Sequence, residues 1–142
     1  RFHSDGIAFH DGYLYFHALT GYHLYRIAAA ALCDPTLTRE ELSRAVEDLG
    51  KTPAPDGMLF DKAGNLYMAD LEKGAIVYRT PSGRIETLIE DDLIGWADTL
   101  TLTPQGELVF TDSHLIDAPP GKPADGRTYE IYKIALPKTV QH

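Results

Sequence analysis

The chain has 142 residues, enough for one ordinary domain with a sizeable core, and 21 acidic against 13 basic residues give it a formal charge of −8. That balance argues against nucleic acid and anionic membranes as partners, since both reward basic patches, and it suits cations or basic and neutral small molecules. The lone Cys33 excludes an internal disulfide, and no apolar run approaches the length of a membrane span or resembles a signal peptide.

The chain starts at Arg1 and enters a strand almost at once, which reads as a processed or excised piece. Asp5-Gly6-Ile7-Ala8-Phe9, a turn at Asp11-Gly12, Leu14-Tyr15-Phe16 and Leu24-Tyr25-Arg26-Ile27 predict three short antiparallel strands. Next, Thr38-Arg39-Glu40-Glu41 fits a capping box, Leu42, Ala45, Val46 and Leu49 form one apolar stripe, and Gly50 supplies a stop. The pattern predicts a helix over 38–50 that docks on the sheets and carries no chemistry. Residues 55–80 then repeat the strand pattern, with a turn at 61–65, and Ser82-Gly83 leads into an outer strand. A third copy follows: Asp98-Thr99-Leu100-Thr101-Leu102, a turn at Gln105-Gly106, Leu108-Val109-Phe110-Thr111-Asp112 and Ile131-Tyr132-Lys133-Ile134. It is interrupted by a Pro/Gly-rich insertion at 118–127 that reads as a long loop.

The copies are anchored on Asp5, Asp56 and Asp98, which lie 51 and 42 residues apart. Gly12, Gly64 and Gly106 fall in register, as do Tyr25, Tyr78 and Tyr132. Repeats of this length holding several strands each predict an all-β chain, a β-propeller of six-bladed type. About three four-stranded blades are present: 1–35, 53–92 and 96–142, with the helical insertion at 38–50. Propellers close with about four to eight blades, so three leave an apolar face bare at each end. A second chain, the same or different, is expected to complete the ring, and two copies would make six blades.

In a propeller the innermost strands all begin near the axis, so Asp5, Asp56 and Asp98 are expected to converge there. Such carboxylates repel unless protonated or bridged, and Ca²⁺ or another divalent cation would satisfy them. The competing expectation is that each aspartate caps its own Asp-Gly turn. The second connection of each blade opens on the same face. It brings His17, Tyr22, Asp70, Asp112 and His114 to the tunnel mouth beside Trp96. Trp96, Tyr22, Asp70 and Asp112 are candidate ligand contacts for a small amine or polyhydroxylated molecule. His114, beside Asp112, and His17 are candidate proton-transfer groups. No nucleophile elbow, phosphate-cradling glycine loop or zinc signature is present.

Ser4-Asp5-Gly6, His23-Leu24-Tyr25-Arg26 and the helix before Pro53-Ala54-Pro55-Asp56-Gly57 resemble the major royal jelly/yellow protein family, its bacterial branch most nearly. So do Gly64-Asn65-Leu66-Tyr67, Trp96-Ala97-Asp98-Thr99-Leu100 and 106–112. The resemblance covers nearly the whole chain and about the second half of a family member. It implies a six-bladed propeller, secreted or periplasmic, with a ligand site at the tunnel mouth. Some yellow-type members are linked to dopachrome conversion and others to binding biogenic amines. A more distant similarity to gluconolactonase/senescence-marker propellers implies a divalent cation on the axis, held in part by Asp56. Asp5 stands where those propellers carry an Asn-Gly step, and their remaining ligands would lie in blades outside this chain. The expected function is small-molecule binding; the alternatives are a metal-dependent lactonase-like hydrolase, a dopachrome-type tautomerase, or an inactive assembly fragment.

Overall fold

The computed structural model describes residues 4–114 and 129–137. Its first sheet is an antiparallel meander of β1 (Ser4–His10), β2 (Tyr13–Ala18), β3 (His23–Ala28) and β4 (Glu47–Lys51), in that spatial order. The second repeats it with β5 (Met58–Phe60), β6 (Leu66–Asp70), β7 (Ala75–Arg79) and β8 (Ile85–Glu90). The third holds β9 (Ala97–Leu102), β10 (Glu107–Asp112) and β11 (Glu130–Ala135) among the described residues. The insertion expected at 118–127 lies outside the described residues. Within each sheet, strands adjacent in sequence are adjacent in space, which is the blade meander of a partial propeller.

Glycine ends the first strand of every blade for one reason. Gly12, Gly64 and Gly106 have φ of 79°, 84° and 78°, a left-handed turn conformation that costs glycine nothing. Cross-strand partners then run Ile7 to Phe16, Met58 to Met68 and Leu100 to Phe110. This puts Asp5, Asp56 and Asp98 at one position of the repeat.

The expected tyrosine register is corrected. Tyr25 pairs with Phe16 and Tyr132 with Phe110, but Met68 pairs with Val77, so Tyr78 comes one residue late. Side chains alternate across a strand, so one step turns the Tyr78 ring to the opposite face. There it meets Tyr67 at 5.9 Å between ring centroids, and its hydroxyl donates to Glu86.

The inserted helix is also shorter than expected. α1 (Ala29–Leu32) is one turn, and α2 (Arg39–Arg44) begins on the capping box, with the Thr38 amide donating to Glu41 at 2.8 Å and the Glu41 amide to Thr38 Oγ1. It ends at Arg44, not Gly50, and Leu49 lies in β4. A helix this short gains little alone, whereas the open edge of β3 offers backbone partners. Arg26 donates to Glu47 through Nε and Nη2, and His23 pairs with Asp48 at 2.8 Å, fixing that pairing. The first blade therefore reaches Lys51 and does not stop at residue 35.

Blades one and two pack through Tyr15, Leu24, Met58, Leu66, Met68 and Val77. Blades two and three pack through Tyr67, Ala69, Ile76, Leu100, Leu108 and Phe110. Fully burying one such aliphatic or aromatic side chain contributes about 1.5–3 kcal/mol. Near the axis the innermost strands come closer still. A Cβ on Gly6 would lie 3.0 Å from the Asp56 carbonyl oxygen, and one on Gly57 only 1.6 Å from that of Asp98. The glycine of each Asp-Gly step is what lets the next blade approach. On the outer face of blade one Ile7 and Phe9 are 60% and 62% exposed, and in blade three Ile131 is 74% exposed.

Candidate functional site

The site grows from the start of β5. Asp56 is partly buried beside the Gly57 approach, and its Oδ2 accepts the Trp96 indole N–H at 2.6 Å. Burial pushes the Asp56 carboxyl above the usual carboxylate range. The indole hydrogen bond opposes this, while the charges of Asp98 and then Asp5 add to it. The charges of Asp98 and Asp5 therefore reach the Asp56 carboxyl. Asp56 engages an indole from the next blade, a partner that neither expectation, a shared cation or a cap on its own turn, had included.

Trp96 is positioned by Asp112, which is buried at the end of β10. Its carboxylate accepts the amides of Gly95 at 2.7 Å, Trp96 at 2.8 Å and His114 at 3.1 Å. Asp112 thus holds the loop that carries the indole and does not itself line an open mouth. His114 sits in the left-handed region with φ 46°, and its Nε2 lies 2.7 Å from Glu130 while Nδ1 is 3.7 Å from Asp112. It is pinned between two carboxylates, over a Gly95 where a Cβ would come within 2.2 Å of Nδ1.

His17 is fully buried. Its Nδ1 donates to the Ala18 carbonyl and its Nε2 accepts from Thr52 Oγ1, both at 2.8 Å. Burial holds its pKa below the usual histidine value, against the Ala18 bond, and nearby His23 lowers it further. This is a neutral imidazole tying β2 to the segment that enters the second blade. Tyr22 is exposed at the rim and donates to Glu72 at 2.7 Å across the blade boundary. Asp70 is buried, with Lys73 Nζ 3.8 Å away.

The structure thus brings together Trp96, Asp56, Asp98 and Asp5, sets Tyr22 at the adjoining rim, and places His17, Asp112 and His114 as supports. Sequence reasoning missed Thr52, Glu72 and Glu130. Each is a polar residue in a connection or at a strand edge, and no motif marks it. Among the described residues no three His, Cys, Asp or Glu side chains gather around one point.

No curated protein matches the chain. Among solved structures it is similar to a gluconolactonase from Xanthomonas campestris, at 20% identity and a TM-score of 0.66 over 98% of this chain and 45% of that one. A luciferin-regenerating enzyme matches at 15% and 0.63, over 93% and 44%. A virginiamycin B lyase from Staphylococcus aureus matches at 14% and 0.56, over 94% and 41%. At these identities the likeness shows the propeller fold alone. The chain spans less than half the length of each. At the level of family, the major royal jelly protein model matches residues 5–98, two of the three blades with the whole Asp5-to-Asp98 repeat, and the chain belongs to that family.

Proposed function

We propose that this chain is part of a secreted, six-bladed propeller that captures a small cationic molecule, a protonated amine, at the mouth of its axial tunnel. The observation that carries the reading is Asp56: a partly desolvated carboxylate, raised in pKa, facing Asp98 and Asp5 and backed by the Trp96 indole. A positive charge placed among these groups relieves their mutual repulsion, and an indole face is a good wall for it. His17 and His114 both engage protein partners, which favours capture over proton-transfer chemistry.

Calorimetric titration of the assembled protein with phenethylamine tests this, with 2-phenylethanol as the uncharged control. Binding of the amine but not the alcohol, weakened about tenfold or more by Asp56→Asn, supports the reading. Equal binding of both, or of neither, overturns it.

A second reading is a divalent cation serving lactonase-like hydrolysis, favoured by the negative charges of Asp98 and Asp5 acting on Asp56. The further oxygen ligands would come from blades outside this chain. Calcium binding that competes with the amine would favour it. We further propose that a second chain covers the faces bearing Ile7, Phe9 and Ile131.

A further inference from the structure

We propose a second small-molecule site, between blades one and two at the opposite face from Asp56, that takes a planar aromatic carboxylate. A cleft of about 430 Å³ opens there between the β1–β2 and β5–β6 turns. This is within the size range of small-ligand pockets. His10, on its wall, is five residues along β1 from Asp5, roughly 17 Å at the rise of a strand. The cleft is thus a separate place from the axial site.

Its walls are flat and aromatic. His10 stacks on Phe60 with ring centroids 4.6 Å apart and planes 19° apart, and Tyr15 meets Phe60 edge-on at 4.7 Å. Arg26 lies over the Tyr13 ring at 4.2 Å, and its charge is matched by Glu47 at 2.8 Å. The floor is a rigid turn, in which Asp61 accepts the Asn65 amide, the Asn65 side chain and the Tyr67 hydroxyl.

Arg79 lines the same cleft and has no ion pair among the described residues. Its place in the repeat gives it weight. Arg79 pairs with Leu66, as Ile27 pairs with Leu14 and Ile134 with Leu108. The other two blades put isoleucine at this position, and the middle blade breaks the pattern with an arginine that lines the cleft, its guanidinium beside Gly83. Departures from a repeat's own packing rule concentrate at functional positions. A guanidinium recognises a carboxylate through two parallel hydrogen bonds, and His10, Phe60, Tyr13 and Tyr15 give the cleft an aromatic lining for an aromatic body. Asp11 is the acid in the cleft lining, and its charge disfavours a second negative charge on the ligand, which favours a monocarboxylate.

The test is titration with benzoate, followed by NMR shifts of the cleft residues, on the wild type and on Arg79→Ile. This substitution installs the residue that the other blades carry, and an unchanged melting temperature certifies the fold. The expected result is saturable binding of benzoate, weakened about tenfold or more in the variant, with benzamide and inorganic phosphate each binding more weakly. No saturable binding, equal binding by the variant, or phosphate binding as well as benzoate overturns the proposal.

Discussion

Gly57 and Asp98 touch backbone to backbone: the Gly57 Cα lies so near the Asp98 carbonyl that a Cβ would be 1.6 Å from that oxygen. This contact brings the second and third inner strands together and places Asp56 within reach of Trp96. Gly57→Ala must push the blades apart, and destabilisation by about 2–4 kcal/mol is expected, measured by denaturant unfolding. Gly6→Ala meets the Asp56 carbonyl at 3.0 Å and a flexible Met58 side chain, and should cost less. Equal losses would show that the two approaches are equivalent.

Asp112 is the second point of leverage on the same indole. Replacing it by alanine leaves the Gly95, Trp96 and His114 amides without their acceptor, at a cost of about 2–4 kcal/mol. Trp96 is the sole tryptophan, so its fluorescence reports the loop directly. A shifted emission maximum at a temperature where the variant remains folded is expected. An unshifted spectrum would mean that the loop is held by other contacts.

The raised pKa of Asp56 has a definite sign in stability. The folded state binds its proton more tightly than the unfolded chain, whose ordinary value is 3.8. The Asp56 contribution therefore declines as pH rises from the ordinary carboxylate range through the folded value. Asp56→Asn keeps an acceptor for the Trp96 indole but removes the titration. The difference in melting temperature, variant minus wild type, should grow more positive across that window, followed by calorimetry at a series of pH values. A difference that is flat with pH would rule the account out.

His17 carries the opposite slope. Its folded pKa lies below the ordinary histidine value of 6.5, so the unfolded chain takes up protons first and stability falls as pH drops below that value. His17→Gln retains groups able to bond Thr52 and the Ala18 carbonyl, and its melting temperature should lose this dependence below neutrality.

The exposed Ile7 and Phe9 make the last prediction, which concerns assembly. If a second copy completes the ring, sedimentation will find two chains together, and Phe9→Lys will dissociate them while leaving the far-ultraviolet circular dichroism unchanged. A monomeric wild type would refute closure by a second copy.

Much of this architecture is legible in the residues, because turns demand special chemistry. Gly12, Gly64 and Gly106 announce their left-handed conformation, and Thr38 with Glu41 announces a helix start. What stays hidden depends on partners far away in the chain. The Glu47–Lys51 segment has no apolar alternation and becomes a strand only because β3 offers it an edge and two charged partners. The Tyr78 offset is invisible to matching by residue type, since only the pairing reveals it. The roles of Asp112 and His17 as supports follow from burial and from the amides, carbonyl and hydroxyl around them, which no local spacing encodes.

The connection between β3 and β4 leaves and rejoins adjacent strands of one sheet at its outer side, so both ends are clamped by pairing whatever lies between them. Residues 29–46 are consequently a place where chain can be lengthened, labelled or fused without disturbing the axis. Cys33 is exposed within it and is the single thiol of the sequence, so a fluorophore or spin label attached there would read out ring assembly while leaving both proposed pockets untouched.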